Sequence, residues 1–551
     1  MNGPELDRRE VLRRGGRLAA GAAMFGLAPS VLAACSGNDQ ATPPGTTGAP
    51  RASGTGTTVA PTSPGGVPWA ELAGQLRGEL VLPTDAGYDD ARVLFNTRFD
   101  PLRPGAVARC ADQADVQAAV RFARAHGVRL VARSGGHSYA GYSSADAALQ
   151  LDLRGLDGIE VDRDTGRAAL GPGCLLADVY RNLFEAGVCV PGGSCPTVNV
   201  AGLAMGGGVG FLGRAFGTLS DNLVGLTMVT VDGEVVSADA SNEPELLWAH
   251  QGGGGGNFGV VTRLELTTHA VGAWSTFELT WPWSITNKVT AAWFAWLVDL
   301  PDEVWSMLSF TTQDPAQGSE PICTVKGQVT APAARAKQLL APLIAAVGQP
   351  PAQDQTLDRT WLASADYWAG CADLGIAQCR IPQDGPRGTL PRLAYKAKSD
   401  YVARALPAEA IAVVIDALGR RQADRTMTVS GSAFQPGGIE FDSYGGALNR
   451  PAPDATAFVH RDQVAHGQYL AFWDPSAPEA TVQANMDWIE RFATDLRPFA
   501  SGQAYQNYID PQRPDWLRSY YGQNLERLVA VKRRWDPDGV LDFAQGIPRT
   551  L

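Results

Sequence analysis

The sequence predicts an α+β protein in two parts: a mixed helix–strand domain, then an antiparallel sheet backed by helices. Three observations carry this. From Asn96 to about Val271, short strand-like runs alternate with amphipathic helical patterns and glycine-rich loops. From about Val271 to Ala493, strand-like runs alternate with Ala-rich helices, and Trp274, Trp281, Trp283, Trp293 and Trp296 crowd the start of that stretch. At 551 residues, the chain also exceeds what one hydrophobic core usually serves. A hydrophobic content of 45% and a charged content of 19% fit a globular protein. The net charge of −11, with basic residues gathered only near the N-terminus, argues against nucleic acid as a partner.

The first 35 residues read as an export signal. Arg8-Arg9 sits in DRREVLRR, which resembles a twin-arginine motif, and an apolar stretch from Leu18 is too short and too rich in Ala and Gly for a membrane span. Leu32-Ala33-Ala34-Cys35 resembles a bacterial lipobox, with Cys35 as the lipidated residue that ties the exported chain to the outer face of a membrane. Ordinary cleavage nearby and an uncleaved anchor are the other readings. Loss of residues 1–34 removes five Arg and three acidic residues and leaves a charge of −13. Residues 36–67 are Gly, Pro, Ser, Thr and Ala with almost no large apolar side chain. They cannot build a core and are expected to form a flexible tether.

The first domain is expected over residues 80–270. Ala111–Gly127 places Val116, Val120 and Ala123 on one helical face, with Asp112 or Asp115 near its start. Val128–Arg133 reads as a buried strand, and residues 148–153 as another. GIEVD and RAALG, around Asp164-Thr165-Gly166, read as a hairpin. Leu175–Gly187 reads as a helix closed by glycine. LTMVTVDGEVVSAD gives a second hairpin, turned at Asp232-Gly233. Residues 271–495 are expected to form the sheet-and-helix domain, with the tryptophans in its core rather than as a ligand platform. Residues 496–551 form a C-terminal segment.

Two loops carry the chemistry. Residues 133–144 read RSGGHSYAGYSS, and from Gly192 the chain reads GGSCPTVNVAGLAMGGGVG. Glycines of this kind let a backbone approach a diphosphate. Each loop also holds one reactive side chain, His137 or Cys195. Neither matches GxGxxG between strand and helix, nor a Walker A loop. QGGGGGNFGVVTRLEL from Gln251 and AYQNYID (Ala504 to Asp510) follow in order. Together the four motifs resemble the berberine bridge enzyme-like oxidoreductases of the vanillyl-alcohol oxidase superfamily, over roughly Pro83 to the end.

That resemblance implies a two-lobed PCMH-type FAD-binding domain over residues 80–270, a substrate domain over 271–495 and a C-terminal berberine bridge-like segment. It implies an FAD-dependent oxidase, with flavin attached bicovalently through His137 and Cys195, that takes hydride from an alcohol substrate to flavin N5 and is reoxidised by molecular oxygen. Both covalent bonds withdraw electron density and are expected to raise the flavin potential. Arg133, Ser134, Gly135, Gly136, Ser138 and Gly141 are expected along the diphosphate. Gly202, Gly206, Gly207, Gly208 and Gly210 are expected near the ring and ribityl chain, and Gly256, Asn257, Gly259 and Val261 at ring or adenosine. Val198 is expected to guard the face that oxygen reaches, and Asn507 the flavin edge. Tyr508 matches the family's tyrosine base, with Tyr444 and Tyr505 as helpers. A free tyrosine titrates near 10, so a cationic neighbour or a strong hydrogen bond is expected to lower it.

Members with a glutamate base carry it four residues before the Pro of PFPHR. Here that count, made back from Ala457, lands on Pro453, which points to tyrosine. GGALNRPAPDATAFVHR (Gly445 to Arg461) resembles the family's cavity-lining strand pair. Many relatives read GVGGH where this chain has Asn199 to Leu203, so Leu203 stands in place of a histidine. Besides Cys35 and Cys195, an oxidising compartment allows disulfides among Cys110, Cys174, Cys189, Cys323, Cys371 and Cys379 in up to fifteen full connectivities, and Cys174–Cys189 and Cys371–Cys379 are the pairs expected from proximity. No spacing suggests a metal site. The resemblance implies a small-molecule substrate, a sugar or a phenolic or other secondary-metabolite alcohol. Oxidative cyclisation, a dehydrogenase with another acceptor, and a ligand-binding lipoprotein on a flavin-domain scaffold are the alternative functions.

Overall fold

The structure, a computed structural model, describes residues 66–315, 318–427 and 437–551. The twin-arginine pair, Cys35 and the tether up to residue 65 lie outside the described residues.

The first lobe is a small mixed sheet. Strands β1 (Glu79–Val81), β2 (Ala106–Arg109), β3 (Leu130–Arg133) and β4 (Leu149–Asp152) lie in the order β1-β2-β4-β3, with β4 parallel to both β2 and β3. Helix α1 (Gln113–His126) joins β2 to β3. It starts at Asp112, whose side chain accepts from Asp115 N, and stops at Gly127 in the left-handed conformation. Its buried face is Val116, Ala119, Val120 and Ala123, as the sequence periodicity predicts. The strand β3 delivers the His137 loop.

The second lobe is a five-stranded antiparallel sheet, β5 (Ile159–Asp162), β6 (Arg167–Leu170), β7 (Leu223–Val229), β8 (Val235–Asp239) and β9 (Val260–Thr267), in the order β5-β6-β9-β7-β8. Both predicted hairpins are present, and Gly233 closes the second with φ +78. Helix α2 (Leu176–Glu185) precedes the Cys195 loop, and α3 (Val200–Met205) follows it.

The third layer is a large antiparallel sheet. Its long strands are β10 (Trp274–Trp281), β11 (Val304–Thr311), β12 (Ile322–Val329), β13 (Ala394–Val402), β14 (Gly437–Ser443) and β15 (Ala465–Trp473). They run in the order β10-β12-β11-β14-β15-β13, with two short strands beside β10. Side chains alternate across this sheet. Phe277, Leu308, Val325, Ile439 and Phe441 pack on α4 (Thr286–Trp296), α5 (Ala333–Val347), α7 (Ala408–Ala423) and α8 (Glu479–Leu496). The opposite face gives Trp274, Trp305 and Met307 to a core shared with the second lobe and with α6 (Trp361–Trp368). Trp274, Trp281 and Trp293 are buried in these two cores, as expected of packing residues. Helix α9 (Leu525–Trp535) brings the chain back to the second lobe, where Leu528, Val529 and Val531 join its core.

Two sequence expectations are corrected here. Cys371–Cys379 is a disulfide, but Cys174 and Cys189 are both free and buried. The ten-residue α2, about 15 Å long, lies between them, so closeness in sequence does not by itself bring the two thiols within the reach of a disulfide. Residues 445–461 are not a strand pair. They form the connection between β14 and β15, entered through a 3-10 turn at Gly446–Asn449. Arg461, at its end, is buried and paired with Asp221 of the second lobe at 2.5 Å.

Candidate active site

One cavity runs from the first lobe to the large sheet, lined by both glycine loops, the third loop after Gly254, the C-terminal segment and the inner face of the sheet. Ser134, Gly135, Gly136, His137 and Ser138 line it on one side, and Cys195, Val198, Gly202 and Leu203 on another. Gly256, Asn257, Gly259 and Val261 line the far end, and Tyr505, Asn507 and Tyr508 the near one. Residues separated by more than 300 positions thus share one chamber.

His137 is stacked on Phe95, with ring centroids 4.1 Å apart, and its Nε2 lies 3.1 Å from Thr197 Oγ1 of the cysteine loop. That contact leaves Nδ1 as the ring nitrogen not engaged by Thr197. Burial pushes His137 down to about 3, so the imidazole is neutral and nucleophilic at physiological pH. Asn199, which replaces a glycine of the related motif, supports the histidine loop from behind. Its Nδ2 donates to Gly173 O at 2.7 Å, and a Cβ on Gly135 would sit 2.7 Å from its Oδ1.

Several predicted cofactor residues do other work. Arg133 is buried behind the loop and donates to Ala91 O at 2.6 Å. Gly141, with φ +74, packs on Phe99. Gly206, Gly207, Gly208 and Gly210 do not line the cavity: a Cβ at these positions would strike Asn507, Phe458, Leu219 and Gly192. Those glycines let the loop lie flat against its neighbours, and Tyr505 fixes it there. The Tyr505 hydroxyl accepts from Gly208 N at 2.7 Å, Val209 N at 3.2 Å and Asn507 Nδ2 at 2.9 Å. Tyr444 does not reach the cavity. Its hydroxyl donates to His460 O at 3.0 Å, within the aromatic cluster of Tyr401, Phe458 and Tyr505 against which Tyr508 packs.

Tyr508 does reach it. Its ring stacks on Tyr139 of the histidine loop at 5.0 Å, with an interplanar angle of 7°, and on His466 of β15 at 5.2 Å. Among the described residues no cation lowers it: burial, followed by the charges of Asp442, Tyr505 and Glu440, raises the phenol well above 10. The expected cationic neighbour is therefore replaced by carboxyls. Burial first, and then Glu440, also raises Asp442 well above its ordinary value, while burial raises Glu440.

Sequence reasoning missed this wall. Glu440, Gln468, Tyr139 and Tyr395 line the cavity, and Gln468 Nε2 donates to Tyr139 OH at 2.7 Å. Glu440 and Gln468 face each other across β14 and β15, and so do Asp442 and His466. A glutamate does stand in the chamber, then, from a strand rather than from the position counted before Ala457. Only the alternation of polar with apolar residues in GIEFD could have signalled it.

The chamber fits FAD. His137 and Cys195 both line its walls, and at Gly202 an added Cβ would meet nothing within 4 Å. At Gly256 the nearest atom to such a Cβ is a Phe543 ring carbon 3.8 Å away, so the backbone lies open to a ligand there as well.

Comparison with known proteins agrees. The model of the FAD binding domain matches residues 104–239, and that described as "berberine and berberine like" matches residues 504–548. The FAD-linked oxidoreductase YgaK of Bacillus subtilis, of uncharacterized activity, is 30% identical over 478 residues, covering 86% of this chain and 97% of its own. A xylooligosaccharide oxidase of Thermothelomyces thermophilus is 28% identical over 473 residues, covering 82% and 88%. Among solved structures, BBE-like 1 of Physcomitrella patens superposes with a TM-score of 0.77 at 29% identity, covering 87% of this chain and 98% of that one.

Proposed function

The chain belongs to the berberine bridge enzyme-like family of FAD-linked oxidoreductases, and we propose that it oxidises an alcohol through FAD attached at both His137 and Cys195. The observation that carries this reading is the single chamber in which His137, Cys195 and Tyr508 all stand. Its substrate is a sugar or a phenolic or secondary-metabolite alcohol, a class that the xylooligosaccharide oxidase supports. When bound, FAD supplies a hydride acceptor at N5 and a route to oxygen.

The chain's own residues supply the rest. His137, through Nδ1, and Cys195, through Sγ, hold the ring system, and the backbone of Ser134 to Ser138 and of Gly256 to Gly259 holds the remainder. Tyr508 takes the proton of the substrate hydroxyl. Burial and the charges of Asp442, Tyr505 and Glu440 hold its own phenol well above 10, so it must lose its own proton as it receives one, and Glu440 is the carboxyl that shares the cavity with it. Tyr139 and His466 keep the Tyr508 ring from rotating. Val198 sets how freely oxygen enters. The leader residues Arg8-Arg9 and Leu32 to Cys35 support export and lipid anchoring of the folded holoenzyme.

The test is a screen of sugars and aromatic alcohols under anaerobic conditions, with flavin absorbance as the readout. Bleaching by at least one alcohol is expected. Bleaching only by non-alcohol substrates, or by none, removes the alcohol-oxidase reading.

A further inference from the structure

The segment after Tyr508 crosses the open edge of the large sheet. Strand β13 is the edge strand, and such edges are left with unpaired backbone groups. Residues 501–505 cover them. Tyr401 N donates to Gln503 O at 3.0 Å, Ser501 N to Tyr401 O at 2.8 Å, and Tyr505 N to Ser399 Oγ at 3.1 Å. Odd-numbered residues of β13, such as Tyr395 and Tyr401, face the cavity side, while Lys396 and Lys398 face α8. Between Tyr508 and Asp510 the chain passes from one side of the strand to the other, a step of about 7 Å.

There Asp510 meets both lysines. Its Oδ1 accepts from Lys396 Nζ at 2.6 Å and its Oδ2 from Lys398 Nζ at 2.5 Å, while Lys398 also reaches Glu490 of α8 at 2.8 Å. The side chains of Lys396, Lys398 and Asp510 are 4%, 5% and 6% exposed. The backbone is held as firmly. Asp510 N donates to Tyr520 OH at 2.9 Å, and Asp510 O accepts from Gln545 Nε2 at 3.0 Å. Gln545 in turn lines the cavity and accepts from Tyr142 OH at 3.1 Å.

A buried ion cluster adds little stability over well-packed apolar side chains, whereas its geometry is strongly directional. Two residues from a stacked tyrosine, that directionality has a use. We infer that Asp510 is a positioning residue: clamped by Lys396 and Lys398 on the far side of the edge strand, it holds Tyr508 between Tyr139 and His466. The functional consequence rests on Tyr508 being the base; the placement itself does not.

The experiment uses holoenzyme labelled with 3-fluorotyrosine, which gives thirteen ¹⁹F resonances. Tyr508→Phe assigns the one of interest. In Asp510→Asn the Tyr508 resonance is expected to shift, because the ring leaves its aromatic stack, while those of the distant Tyr88 and Tyr180 stay in place. With any alcohol that bleaches the wild type, anaerobic flavin reduction is expected to slow by about 10–100-fold in Asp510→Asn and by no further factor in the Tyr508→Phe background. Should Asp510→Asn fail to fold, Lys398→Met, which leaves Asp510 paired with Lys396, gives the same test with a smaller shift. An unmoved Tyr508 resonance in a folded variant overturns the positioning role. A moved resonance with an unchanged reduction rate supports positioning and overturns Tyr508 as base instead.

Discussion

Replacing Tyr508 with Phe separates chemistry from packing at the centre of the chamber. The change removes one oxygen and leaves a ring of the same shape between Tyr139 at 5.0 Å and His466 at 5.2 Å. Among the described residues no protein group hydrogen-bonds the Tyr508 hydroxyl, so its loss forfeits less than the usual 0.5–1.5 kcal/mol of a protein hydrogen bond, about 0.5 kcal/mol or below. Loss of a positioned base costs far more, about 10²- to 10⁴-fold in the reductive step. At about 1.36 kcal/mol per decade, that is roughly 2.7–5.4 kcal/mol of barrier. The predicted result is therefore a large kinetic defect with an almost unchanged melting temperature and flavin content. The assay is anaerobic stopped-flow reduction by a bleaching alcohol, paired with a thermal melt. Because burial and the neighbouring charges hold the phenol well above 10, the wild-type rate is also expected to show no step from tyrosine ionisation between pH 6 and 9. A variant that reduces its flavin at close to the wild-type rate across that range refutes the reasoning, and Tyr505 then becomes the next residue to test.

Flavin is expected to stay with the acid-precipitated polypeptide in wild type and in each of His137→Ala and Cys195→Ala, and to be released only from the double variant; free FAD from denatured wild type would sink the two-bond reading. Val198→Leu should slow reoxidation in air while leaving anaerobic reduction nearly unchanged, as followed by flavin absorbance after mixing with oxygenated buffer. Lys532 Nζ is buried and donates to Asp536, Asn257 O and Leu541 O. Lys532→Met strands the Asp536 carboxylate and should cost about 3–5 kcal/mol, visible as a drop of several degrees in a melt. Burial alone would raise Asp510, but Lys396 and Lys398 outweigh it and hold the carboxyl below its ordinary value. The stabilisation this provides is present above the unfolded value of about 3.9 and fades as pH falls through the lower folded value. The melting difference between wild type and Asp510→Asn should accordingly be constant from neutral pH down to about 5 and shrink below about 4.

What the sequence determined by itself is local. Asp112 and Gly127 bracket a helix because a short polar side chain and a left-handed glycine satisfy its ends. The loops bearing His137 and Cys195 were legible because reactive side chains within glycine runs have few structural uses, and the ordered motifs named the family. Cys371 and Cys379 lie eight residues apart in an irregular segment, and their pairing could be guessed; Cys174 and Cys189 are separated by a ten-residue helix, so their closeness in sequence is no guide to closeness in space. Tertiary structure alone decided the wall facing the flavin loops. Glu440, Asp442, His466 and Gln468 come from buried antiparallel strands, where a polar residue between apolar ones reads the same whether it meets solvent, core or ligand. Their partners Tyr139 and Tyr508 lie up to 329 positions away. The same holds for Gly206 to Gly210, whose glycines admit Asn507 and Phe458 rather than a cofactor. A glycine states that something comes close; only the packed chain determines what.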